Sequence, residues 1–444
     1  MKNISRLIFL GIIISFAFKY TCKGSNHRIS EISGNPIGLS RPPERTSTIE
    51  PPPEESTSIR RRSRRTSNYI QIAIAIYPSG SNRRVSTSCD FSYSESHACG
   101  FSDHGKPEYE IDHSNKVFAW AKEATRIYSP DSWHLLMQYE ALPEVSRNRL
   151  VCGRIMEISK PAETFQYLSG SNVFDVISAM SSNIHEISHG YSRKNIIRHA
   201  TENNIPLDIM RDEGRFIYLD PSESYLVTFP RELLFPASRM ARSIPSDRRT
   251  RRYRTYITGN TSTQAHGVLA LLDELNAYYL GSRYRYEMLQ AYKVAGRTEC
   301  EGFFEWVSDA QGSMGAFFEI DYFILEYLLY MKENHPENYE LLRSNKSFRE
   351  AWWAVRYAYN SLLADYFQKI KNQVRSYNDQ EEFEFKIEDR RLRISRTGSR
   401  SSSSRLIISN AMDQLLPVLR SNRFVGIEQD FGVSSTVADL YSSY

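Results

Sequence analysis

The residues whose types and spacing point most directly to chemistry are His185-Glu186-Ile187-Ser188-His189. On a helix, positions four apart stand one turn apart on one face, so His185 and His189 can present two imidazoles to a single cation. Glu186 leaves the helix beside them, too far round to be a natural third ligand but placed to hold and deprotonate a water. The run from Asp175 to His189 supplies the helix. Val176, Ile177, Met180, Ile184 and Ile187 recur at helical spacing and give it a side to bury. The competing reading is a pair of surface histidines on an amphipathic helix. With ten histidines in 444 residues, the match by chance is uncommon.

A catalytic zinc ion takes three protein ligands and keeps one position open, so one more ligand must come from elsewhere. The leading candidate is Glu274, within Asp273-Glu274-Leu275-Asn276-Ala277-Tyr278-Tyr279, on a helix expected to start near Thr261 or Thr263. Val268, Leu269, Leu272, Leu275 and Tyr279 give that helix an apolar side, and an acid buried there is costly unless it is paired or holds a metal. Glu213, Asp212, Asp220 and His199 stand as alternatives.

The His-Glu-x-x-His pattern resembles the zincin metallopeptidases, and a Glu from a later helix resembles their gluzincin branch. The metzincin pattern fails, because its further Gly and His would fall at Ser192 and Asn195. The resemblance implies Zn2+ on His185, His189 and Glu274, Glu186 as the base, a peptide or protein substrate, and a zincin-like fold. It departs at Tyr278, where gluzincins often place an Asp that orients the first His. Asp273, Asn276 or Asp309 would then take over that orientation. Tyr278, Tyr279, Tyr225 and His266 are the candidates for stabilising a developing oxyanion, with Tyr278 foremost. The same residues would also suit a catalytically inactive envelope binding or adhesion protein with a structural metal.

The elements that must position these groups fall in an α+β arrangement: a mixed α/β lobe carrying the His helix, then a mainly helical lobe. Residues 1–22 open with Lys2 and Arg6 before the apolar run Leu7 to Phe18, the pattern of a secretory signal. Cys22 offers lipid attachment as a variant, so the expected location is secreted or cell envelope, with membrane contact only through that anchor. Residues 23–67, with Pro51-Pro52-Pro53 and the arginine-rich run from Arg60 to Arg65, read as a disordered linker. The α/β lobe is expected over 68–260, with a strand from Tyr69 to Tyr77, a helix over 114–128, and a hairpin joining Arg215–Asp220 to Tyr225–Phe229 across a four-residue turn. The helical lobe spans 261–376 with breaks near Gly296, Gly312 and Pro336, and Trp352 and Trp353 are expected in its core. Residues 377–444 should hold a hairpin over 381–396, a loop over 397–404 and a short final helix.

Charge excludes one class of partner. The net +4 divides into +3 from residues 1–22 and +4 from the linker, leaving −3 on residues 68–444 and no general basic footprint for nucleic acid. Export permits disulfides, with Cys89 and Cys99 the expected pair, and no Cys-x-x-Cys suggests a zinc ribbon.

Overall fold

The computed structural model describes residues 115–259, 262–378, 383–388, 390–396 and 402–432, all within the unit Glu95–Tyr444. The signal segment, the linker, the strand expected at 69–77, and Cys22, Cys89 and Cys99 lie outside the described residues.

Helices α1 (Asn115–Tyr128) and α2 (Pro130–Glu140) come first, with Pro130 at a first-turn position where a missing N–H leaves no bond unmade. A hairpin of β1 (Val145–Arg149) and β2 (Ile155–Ser159) follows, an element not foreseen from sequence. Helix α3 (Val173–Glu202) carries the His pair. It begins at Asn172, whose side chain accepts a hydrogen bond from the Asp175 N–H at 3.0 Å. The helix runs well past the expected end at 189, because Ile196, Ile197 and Ala200 continue its buried side in a small cluster with Ile158, Leu207 and Met210. The buried Lys194 pins the first hairpin to it, donating from Nζ to the carbonyls of Pro143 and Ile158, each at 3.1 Å.

Helix α4 (Leu207–Glu213) leads into the hairpin β3 (Gly214–Asp220) and β4 (Glu223–Thr228). Its turn is tighter than the expected four residues. Asp220 Oδ1 accepts the Ser222 N–H at 2.7 Å, so strand pairing resumes at Glu223. The chain then passes through 3-10 turns and a π-helix, Arg254–Thr258, to α5 (Ser262–Ala265) and α6 (Gly267–Glu287). Gly267 has φ +56, and a Cβ there would collide with the Tyr327 hydroxyl. Only glycine meets both conditions, which sets the start of α6 later than the threonines suggest.

Helix α6 is buried on nearly every side. It is wrapped by α3 and β3 and, after α7 (Leu289–Ala295), by α8 (Glu299–Met314), α9 (Ala316–Asn334) and α11 (Lys346–Asn378), with α10 (Pro336–Ser344) between the last two. The expected break near Gly312 falls three residues later, with Gly312 itself inside α8. The chain turns at Gly315, where a side chain would run into Ser409 Oγ. The C-terminal hairpin is present as β5 (Phe383–Glu388) and β6 (Arg391–Arg396), joined by a third strand, β7 (Ser402–Leu406), in the stretch expected to be a loop. Two helices, α12 (Ala411–Leu419) and α13 (Asn422–Asp430), replace the single short one.

The fold is therefore α+β, mainly helical with three small antiparallel sheets among the described residues. The two lobes expected on either side of residue 260 share one core: Ile184, Ile187, Val227, Leu272, Leu275 and Phe317 belong to a single buried cluster. Trp352 is fully buried in it. Trp353, one residue and about 100° round the helix, is 43% exposed and stacks on Tyr357 at 5.3 Å, contrary to expectation.

Helix α9 also carries three buried acids, each met by an arginine from another element: Glu319 by Arg252, Asp321 by Arg356 at 3.0 Å, and Glu326 by Arg423 at 2.7 Å. A buried carboxylate is tolerated only with such a partner. Cys300 is buried and disulfide-bonded, and Cys152 is exposed. Among the described residues, no helix is long and apolar enough to cross a membrane.

Candidate metal centre

Helices α3 and α6 cross antiparallel at Ser181 and Gly281. Ser181 Oγ donates to the Gly281 carbonyl at 2.9 Å, and a Cβ on Gly281 would lie 3.1 Å from the Ser181 carbonyl oxygen. Glycine thus lets the two backbones approach closely. From this contact the helices run in opposite directions, so His185 comes to face Tyr278 and His189 comes to face Asp273 and Glu274.

Three potential ligand atoms converge there. His185 Nε2 and His189 Nε2 are 3.3 Å apart, and Glu274 Oε2 stands 3.5 Å from the first and 3.7 Å from the second. Ligand atoms about 2.0–2.2 Å from a shared tetrahedral ion would be about 3.3–3.6 Å from one another. The observed edges match that triangle closely. Two imidazole nitrogens and one carboxylate oxygen are also a donor set that zinc accepts. Glu274 is buried, and the imidazoles are partly so.

The surroundings fix these groups. Asp273 Oδ2 lies 2.9 Å from His189 Nδ1, which directs Nε2 of that ring toward the cluster. Burial opposes charge on His189, but the Asp273 and Glu274 carboxylates outweigh it and hold its pKa well above the usual imidazole range. Burial likewise opposes charge on Glu274, yet the two histidines hold its pKa far below the usual carboxylate range. The cluster therefore favours a positive charge between His189 and the acids, supplied by a proton or by a cation.

Tyr278 packs edge-on against the His185 ring, with centroids 4.6 Å apart, and its hydroxyl is 3.0 Å from that of Tyr256. The Arg252 guanidinium sits 4.6 Å above the Tyr278 ring, anchored by Glu319 and by the Gly312 carbonyl at 3.0 Å. Tyr256 and Arg252 escaped sequence reasoning. They arrive on and beside the π-helix, a local form with no periodic signature, although π-helical turns recur at functional sites. Glu186 is exposed on α3 beside the cluster. Tyr167, also unforeseen, is tied to α3 by its N–H, which donates to Asn183 Oδ1 at 3.2 Å. Burial and the nearby Glu186 carboxylate push its phenol pKa upward.

Several expected residues lie elsewhere. Asn276, two positions after Glu274, is buried, and no hydrogen bond joins it to either imidazole among the described residues. Asp309 belongs to a separate network, accepting from Ser178 Oγ at 2.6 Å, Arg285 Nε at 2.8 Å and the Tyr292 hydroxyl at 2.7 Å. Of the alternative ligands, His199 stands ten residues beyond His189, about 15 Å along the helix. Asp220 caps the hairpin turn, and Glu213 and Asp212 end α4. Among the proposed oxyanion donors, Tyr225 donates to Glu223 on the exposed hairpin and Tyr279 packs on Tyr359. His266 precedes α6, about two turns before Glu274. Of the four, Tyr278 lies against a member of the cluster, the His185 ring.

Comparison with protein families, with curated proteins and with solved structures finds no match to this chain.

Proposed function

We propose that this chain is a zinc-dependent hydrolase, acting on peptide bonds of a polypeptide substrate in the manner of a Glu-completed zincin. The observation that carries the proposal is the triangle of His185 Nε2, His189 Nε2 and Glu274 Oε2, all within 4.8 Å of one another on two helices that cross at Gly281. Zn2+ bound there would supply a Lewis acid for water and for the scissile carbonyl. The protein groups around it have distinct tasks. Asp273 keeps His189 in the tautomer that offers Nε2. Glu186, exposed and one residue beyond His185, takes the proton from the attacking water and passes it to the leaving amine. Tyr278, oriented by Tyr256 and Arg252, donates its hydroxyl proton toward the oxyanion.

The test separates the base from the ligands. Glu186→Gln should bind zinc as the native protein does, measured by metal analysis, and lose peptide hydrolysis by about 100-fold or more. Full activity in that variant would remove Glu186 from the mechanism.

A further inference from the structure

The segment from Arg231 to Arg254 holds eight arginines against Glu232 and Asp247, a net +6, within a region 68–444 whose overall charge is −3. Such a concentration of like charge opposes folding unless something is gained from it. Part of it is structural: Arg252 is used by Glu319 and the Gly312 carbonyl, and Arg249 donates to the Ile244 carbonyl while lying over the Tyr253 ring. Arg239, Arg242, Arg251 and Arg254 differ. All four are exposed, and none pairs with an acid among the described residues.

Their place in the fold gives this charge a direction. The 3-10 turn Ala237–Arg242 packs on the π-helix Arg254–Thr258, and the Tyr253 hydroxyl donates to the Ala241 carbonyl at 2.9 Å. The same π-helix presents Tyr256 to Tyr278, whose ring lies on His185. The unpaired arginines therefore stand on a ribbon whose Tyr256 is joined to the His185–His189–Glu274 centre through Tyr278.

We propose that this ribbon is a docking surface for a carboxylate-rich stretch of polypeptide, which delivers acidic substrates to the adjacent centre. The planar guanidinium matches a carboxylate with two parallel hydrogen bonds, and four of them on a short ribbon suit closely spaced Asp or Glu side chains. Nucleic acid fits less well. The two tyrosines nearest these arginines are not available for base stacking, since Tyr256 is buried and Tyr253 is covered by Arg249. The docking surface stands on charge and exposure alone; that the docked polypeptide is also cut rests on the peptidase reading above.

The experiment uses the full chain and a fluorescein-labelled Glu-rich peptide with its Gln counterpart, read by anisotropy. The Glu peptide should bind about tenfold more tightly than the Gln peptide, and the preference should vanish in about 1 M salt, where charges are screened beyond about 3 Å. R239Q/R242Q and R251Q/R254Q, made separately so that one misfolded variant leaves the other, should each weaken the preference without changing zinc content. Equal binding of the two peptides overturns the proposal. So does tighter binding of a single-stranded oligonucleotide or of phosphatidylserine vesicles than of the Glu peptide. When the two sequences flank one scissile core, the acidic form should show the lower KM at similar kcat. Selective binding with no cleavage would keep the docking surface and refute the peptidase, whereas cleavage of both forms at equal KM would do the reverse.

Discussion

Replacing Asp273 with Asn isolates one hydrogen bond of the candidate metal centre. Asp273 Oδ2 is 2.9 Å from His189 Nδ1, and both side chains are at most a quarter exposed, so solvent screens the contact only in part. A hydrogen bond to a charged group in such a setting contributes about 1.5–3 kcal/mol. Asn keeps the shape and one acceptor oxygen but removes the charge, so His189 loses both basicity and a fixed ring orientation. Loss of a carboxylate behind a ligating imidazole typically lowers metal affinity about 10–100-fold, which is about 1.4–2.7 kcal/mol at about 1.4 kcal/mol per factor of ten. The two routes agree. The assay is zinc competition with a chromophoric chelator on Asp273→Asn and on Asn276→Ala, which alters a buried residue of the same helix that makes no hydrogen bond to either imidazole. Asp273→Asn should show the affinity loss, and Asn276→Ala should lose thermal stability but keep its affinity. An affinity in Asp273→Asn within about twofold of the native protein would show that His189 needs no partner and would refute the reasoning.

Two further predictions concern stability. In metal-free protein the raised His189 pKa means that its contribution is fully present below the unfolded value of 6.5 and is lost as pH rises through the folded value. Glu274 has the opposite sign: its depressed pKa gives a contribution present above the unfolded value of 4.5 and lost as pH falls through the folded one. The metal-free melting temperature should therefore drop on the alkaline side as His189 loses its proton. Zinc should flatten that drop, since the ion replaces the proton between the same groups; parallel melting curves with and without zinc across that range would contradict this. Elsewhere, Arg356→Leu leaves Asp321 and Glu428 buried without their cation and should cost about 3–5 kcal/mol. Urea unfolding measures it, and an unchanged midpoint would mean that these acids are neutral in the native state.

What could be read from the chain before its structure divides along physical lines. His185, His189 and Glu274 were accessible because helical spacing and an acid on an apolar helix are local signals. Asp273 was accessible for the same reason. Asn276 stands in the same local cluster, yet no hydrogen bond joins it to either imidazole among the described residues, a difference that sequence adjacency does not reveal. The hairpin β1–β2 was missed because Val-Ser-Arg-Asn-Arg offers no alternation of apolar and polar residues. Strand β7, Ser-Ser-Ser-Arg-Leu, is made a strand by its pairing with β6 rather than by propensity. Tyr256, Arg252 and Tyr167 reach the centre through irregular backbone and contacts distant in sequence, which no period reveals.

The contact between Ser181 and Gly281 has a practical meaning. Two of the three candidate ligands ride on one helix and the third on the other, so zinc affinity would depend on how far apart those helices stand at the point where a Cβ on Gly281 would press on the Ser181 carbonyl. The ion would act as a gauge of that gap. A substitution far off in the shared core that wedges the helices apart by a few tenths of an ångström, too little to alter a circular dichroism spectrum, would register as weakened metal binding.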